Sequence, residues 1–130
     1  MSLQNYLFTS ESVSEGHPDK ICDQISDAIV DLFYERNGEN ARMGVETFAT
    51  TQRVVLGGEV RGDVSNEEMI QAARDVVKRV GYEQDGFHWE QMAVDCYVHA
   101  QSADIAMGVD DAADTSTKTE GAGDQGIMFG

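Results

Sequence analysis

The chain has 130 residues and a formal net charge of -15, with nine lysines and arginines set against 24 acids. Nine cations cannot build a basic face, so the composition excludes a generic grip on nucleic acid or on an anionic membrane. A hydrophobic fraction of 41% excludes a disordered chain, and the length suits one domain with a real core.

In chain order, Tyr6-Leu7-Phe8 reads as a short strand or an anchored extended segment. A polar loop then leads to Gly16-His17-Pro18-Asp19-Lys20. From Pro18, apolar residues recur at Ile21, Ile25, Ala28, Ile29, Leu32 and Phe33, a helical period that Asn37-Gly38 stops. The runs 43–50 and 53–60 are rich in β-branched and aromatic residues, and the short polar link between them predicts a hairpin. Ser65 with Glu68 is a capping-box signature for a helix that turns Met69, Ile70, Ala73, Val77 and Val80 inward and ends at Gly81. A loop around Asp85-Gly86 precedes a last strand over 93–99. Strand, helix, two strands, helix, strand predicts an α+β fold, a two-layer sandwich of a mixed β-sheet with both helices on one face.

Beyond His99 the chain changes character. Residues 101–126 are rich in Asp, Ser, Thr, Gly and Ala, and apolar character resumes only at Ile127-Met128-Phe129, which reads as a truncated strand. A long loop of this kind is expected to be functional or disordered. Cys22 and Cys96 match neither a CxxC pair nor a zinc-ligand spacing and read as core thiols. With no leader-like segment and no apolar run of membrane-spanning length, a reduced, cytoplasmic setting is the expectation.

The densest chemistry lies at 16–20. A helix N-terminus with unpaired N–H groups suits phosphate oxygens; His17 and Lys20 add donors there, and Asp19 can hold a divalent cation. A plain cap explains Pro18 and Asp19 equally well, but not the imidazole between Gly16 and Pro18. Glu46 and Glu59 interrupt strand-like runs, so each faces solvent or is buried against a cation, and Gly57-Gly58 leaves room beside Glu59 for a small ligand. Gly121-Ala122-Gly123-Asp124-Gln125-Gly126 matches GxGxxG in form. It lacks the preceding strand and following helix of a dinucleotide fingerprint, so it reads as a tight backbone path that brings Asp124 close to a ligand, or as a flexible turn. His88, His99 and Trp89 read as ordinary structural residues, and the aspartates at 104, 110, 111 and 114 lack the register of a calcium loop.

Taken together, the segments 7–28, Gly57-Gly58-Glu59 and 121–130 resemble the S-adenosylmethionine synthetase (methionine adenosyltransferase) family, in its order and rough spacing. The resemblance spans essentially the whole chain and implies an N-terminal domain, 1–130, one of three similar domains in the family. A mobile gating loop would lie at about 101–120, and the central and C-terminal domains would be absent from this chain. It implies attack of the methionine sulfur on C5′ of ATP, with hydrolysis of the released triphosphate, and Mg2+ and K+ as cofactors. By motif, His17 would contact ATP and stabilise the leaving oxygen, and Asp19 would bind magnesium. Glu46 would serve the potassium site, Glu59 and Gln101 would hold methionine, and Asp124 would lie near the substrate. Implied partners are ATP, L-methionine, the remaining domains and a second copy, in a homodimer or homotetramer with the site between subunits. Ala103 departs from the proline of bacterial members, which bears on loop stiffness. The alternative expectation is a non-catalytic assembly or binding module.

Overall fold

The computed structural model describes residues 7–101. Helix α1 (Pro18–Asn37) buries Ile21, Ile25, Ile29 and Phe33, a strict four-residue spacing that keeps one stripe against the sheet. Its end is closed by Gly38, whose N–H bonds to the Tyr34 carbonyl. Strands β1 (Arg42–Thr50) and β2 (Arg53–Arg61) form the expected hairpin, each a residue longer than the pattern indicated. Helix α2 (Asn66–Val80) carries the full capping box: Ser65 Oγ accepts from the Glu68 N–H at 3.2 Å, and the Glu68 carboxylate accepts from the Ser65 N–H at 2.9 Å. Gly81, at φ 97, gives the left-handed cap that ends it.

Strand β5 (Ala93–Ala100) pairs parallel to β2, so the sheet is mixed, in the order β1-β2-β5. Alternation sends Val45, Val54, Leu56 and Val98 into the core, where they meet the buried stripes of both helices. Ser26 on α1 hydrogen-bonds Thr47 on β1 at 2.8 Å, which fixes α1 on that same face. The fold is therefore the α+β two-layer arrangement, with both helices on one side of the sheet.

Two expectations fail. Leu7 and Phe8 lie in no strand and stand 98% and 70% exposed, so no described residue buries them; Tyr6 lies outside the described residues. The segment around Asp85-Gly86 is the turn of a small ladder between β3 (Glu83–Gln84) and β4 (Phe87–His88). Two-residue strands are too short to leave a periodic signal. Val76, which the helical pattern passed over, is buried in α2 beside Val77. No helix among the described residues is long and apolar enough to cross a membrane.

Candidate functional site

His17 is the N-cap of α1. Its Nδ1 accepts the Asp19 N–H at 3.1 Å, and its carbonyl accepts the Ile21 N–H at 2.9 Å. Pro18, with no amide hydrogen to leave unpaired, fills the first helical position. Because Nδ1 accepts, the neutral ring carries its proton on Nε2. The cap thus uses Nδ1 alone and does not consume the Nε2 donor. The ring is half-exposed, and the Asp19 carboxylate beside it, 3.9 Å from Nδ1, is 82% exposed.

The loop before the cap is tied to the body at several points. His17 N–H bonds to the Ser14 carbonyl at 3.0 Å, Gln24 Nε2 donates to the Glu15 carbonyl at 3.1 Å, and the Tyr82 hydroxyl donates to the Gly16 carbonyl. Behind the cap, Pro18, Ile21, Ala49, Thr50, Tyr82 and Phe87 line an open cleft of about 380 Å³. Burial pushes the Cys22 thiol above its ordinary value; a hydrogen bond at the Ala49 backbone opposes this, while the charges of Asp19 and Asp23 add to it. Cys22 and Cys96 are half-buried free thiols and not the core residues that the pattern indicated; Cys96 packs against the core from β5.

The second group lies on the face of the sheet opposite the two helices, which no described element covers. Register places Gly44, Glu59 and His99 in one row and Glu46, Gly57 and Tyr97 in the next. Glu46 is exposed, and Glu59 Oε1 lies 4.0 Å from His99 Nε2. The room foreseen beside Glu59 is at Gly57, where an added Cβ would meet nothing within 4 Å. Gly58 serves the backbone instead: at φ 135, a Cβ there would sit 1.9 Å from the Gly44 carbonyl oxygen. Gln101 continues β5, its N–H on the Val60 carbonyl at 2.9 Å, and its side-chain oxygen is buried without a partner among the described residues. Phe48 and Tyr97, on the same open face, are 63% and 67% exposed.

The chain brings Glu59, His99 and Gln101 together, and His17 with Asp19. It does not bring the two groups to one place. Pro18, the residue after His17, lines the cleft together with Ala49 and Thr50, which puts the start of α1 at the hairpin end of the sheet and on the helix side. Glu59 is six residues along β2 from Arg53, the partner of Thr50, which is roughly 20 Å of strand, and it faces the other way. Among the described residues no three histidines, cysteines or carboxylates gather as a metal cluster. Asp124 and the segment beyond Gln101 that was expected to gate the site lie outside the described residues. His99, dismissed from its spacing, belongs to the Glu59 row; a period-two reading of β5 against β2 was the signal that would have found it. Tyr82 has no such signal, since its bond to Gly16 spans 66 residues.

A model of the S-adenosylmethionine synthetase N-terminal domain matches residues 5–103. The S-adenosylmethionine synthase of Rhodospirillum centenum is 60% identical over 131 residues, which cover 100% of this chain and 33% of that protein. That of Zymomonas mobilis is 61% identical over 128 residues, 97% of this chain and 32% of its own length. A solved structure, described as an unusual S-adenosylmethionine synthetase from Campylobacter jejuni, superposes with a TM-score of 0.64 at 37% identity, over 78% of this chain and 28% of that one. The chain thus spans about a third of the length of the curated relatives it matches.

Proposed function

We propose, since this chain belongs to the S-adenosylmethionine synthetase family and matches its N-terminal domain, that it contributes to two adenosyl-transfer sites, each shared with a second copy. The reaction is attack of the methionine sulfur on C5′ of ATP, with the expelled triphosphate then hydrolysed. The observation that carries this reading is the separation of the two residue groups. His17 and Asp19 belong to one end and the helix side of the sheet, Glu59 and Gln101 to the other end and the open face. Among the described residues the four do not converge on one point. Two copies related by a two-fold axis can bring them together, each lending one group to each site. The exposed Phe48 and Tyr97 on the open face suit burial against such a neighbour.

Within one site, His17 Nε2–H points a donor at the leaving oxygen and strengthens its hold as charge develops there. The exposed Asp19 carboxylate fits a magnesium ion that keeps several waters and takes one or two protein carboxylates. Magnesium bound there would draw charge off the departing triphosphate. In the other site Glu59 holds the methionine ammonium, and the Gln101 oxygen, which has no partner among the described residues, accepts from it. Glu46 supplies an oxygen for potassium, and Asp124 lies near the substrate. The cations that this acidic segment lacks come from the remaining two-thirds of the enzyme, in a cytoplasmic, homo-oligomeric protein.

The test is a chimaera in which this chain replaces the corresponding third of the Rhodospirillum centenum synthase. It should form S-adenosylmethionine, whereas the 130-residue chain alone should not. His17→Asn in the chimaera should lower kcat by on the order of 100-fold, with ATP binding much less affected. A soundly folded chimaera without turnover would support the assembly-module reading instead.

A further inference from the structure

We infer that Tyr82 is a positioning residue for His17, an inference that rests on the reading of His17 as a substrate contact. Tyr82 follows Gly81, and its N–H bonds to the Val77 carbonyl at 3.2 Å, so its backbone is anchored to the end of α2. Its ring stands edge-on against Phe87 of the small ladder, with centroids 5.2 Å apart and planes at 84°. The half-buried side chain therefore has little freedom, and its hydroxyl reaches across to donate to the Gly16 carbonyl. That carbonyl belongs to the same rigid peptide plane as the His17 nitrogen. Holding the oxygen holds the plane, which sets His17 φ at -64 and with it the approach of the imidazole to the Asp19 N–H.

The other described ties on this loop act differently. The His17 N–H to Ser14 bond engages the same plane but is local and moves with the loop, and Gln24 holds the Glu15 carbonyl one peptide earlier. Tyr82 is the long-range link that grips the Gly16–His17 peptide, and it does so from a rigid corner built by α2 and the ladder. A Cβ on Gly16 would lie 3.5 Å from the Tyr82 hydroxyl, an ordinary van der Waals contact, so the ring packs directly over this peptide. The consequence is a ring whose Nδ1 is held on the Asp19 N–H, which leaves Nε2 to carry the proton of the neutral imidazole.

Tyr82→Phe keeps the ring and its packing on Phe87 and removes only the donor. Ser65→Ala, which breaks the remote cap of α2, serves as a control that lowers stability without touching the loop. The readout is the imidazole 15N spectrum of His17 in the 130-residue chain, together with hydrogen exchange at the Asp19 amide. In the wild type, Nδ1 should be unprotonated and Nε2 protonated. In Tyr82→Phe the two tautomers should mix and Asp19 exchange should quicken by on the order of ten-fold, the worth of one hydrogen bond, while Ser65→Ala changes neither beyond its effect on overall stability. In the chimaera, Tyr82→Phe should lower kcat by a similar factor with KM for methionine unchanged. Wild-type His17 and Asp19 signals in Tyr82→Phe would overturn the inference. So would a variant too unstable to give a native spectrum, because a positioning bond can be lost without loss of the fold. If Tyr82→Phe shifts these signals but the His17→Asn chimaera keeps its kcat, the positioning stands and the catalytic reading of His17 fails.

Discussion

His17 and Asp19 are held by bonds spanning two to four residues and by one long tie from Tyr82, whereas Glu46, Glu59 and His99 are held by strand register. The first arrangement is a cap. Its geometry depends on a proline that cannot donate, an imidazole that can accept, and a peptide plane that is gripped from outside. The second is a pleat. Its side chains share a face because period two puts them there, and a slip of one residue would turn all of them into the core. The cap region is therefore sensitive to single hydrogen bonds and the sheet region to backbone fit. That difference offers a way to disturb either group while leaving the other in place.

The largest effect should come from breaking the sheet region at its tightest point. Gly58→Ala combines a positive φ of 135 with a Cβ 1.9 Å from the Gly44 oxygen, so β1 and β2 must separate there. A loss of more than about 3 kcal/mol is expected, enough to unfold a marginal domain. Urea denaturation checks this, and a loss under about 1 kcal/mol would mean the strand pair yields easily. Gly57→Ala, next to it, adds a methyl where an added Cβ has no neighbour within 4 Å and should cost far less.

A middle-sized effect separates the cap region from the rest. In the chimaera, Asp19→Asn should raise the magnesium concentration needed for half-maximal rate by on the order of ten-fold, with methionine dependence unchanged. An unaltered magnesium titration would leave Asp19 as a first-turn acid that serves only the helix dipole.

The smallest effects should touch both regions alike. Ser65→Ala should cost about 1 kcal/mol of global stability. The backbone N–H of Ser65, then Arg36, whose Nη2 is 2.6 Å from the Glu68 carboxylate, hold the Glu68 carboxyl below its ordinary value. A carboxyl lowered in the folded state adds stability that is present above the unfolded pKa, near 4.3, and is lost as the pH falls through the folded one. Chemical denaturation of wild type and Glu68→Gln should therefore show a gap at pH 7 that closes in acid. A gap independent of pH would assign the stabilisation to shape and not to charge.

Much of the fold was legible because its signals are periodic. The stripe from Ile21 to Phe33, the Ser65–Glu68 box and the alternation around Val45 and Glu46 each repeat a physical spacing that the folded chain then uses. The Glu83–Gln84 and Phe87–His88 ladder was missed because two residues cannot show a period. Leu7 and Phe8 misled because apolar residues beside a polar loop read as a strand whether or not a sheet edge waits for them. At the site, His17 and Asp19 were visible as a compact motif, while the pattern left Glu46 open between solvent and a buried cation, and the strand register turns it outward. The Tyr82 bond and the His99–Glu59 pairing were not visible, since each depends on where distant elements dock. The motif reading named the residues but did not show that one chain keeps His17 and Glu59 apart.

That separation is the central claim, and mixing two inactive chimaeras tests it most directly. His17→Asn and Glu59→Gln are each expected to abolish most turnover. Co-expressed, they should give mixed dimers in which one site receives both substitutions and the other neither, restoring about a quarter of wild-type activity for random pairing in a two-fold dimer. No recovery above the separate variants, with mixed dimers demonstrated by mass spectrometry, would place His17 and Glu59 in the same chain's site and contradict the account.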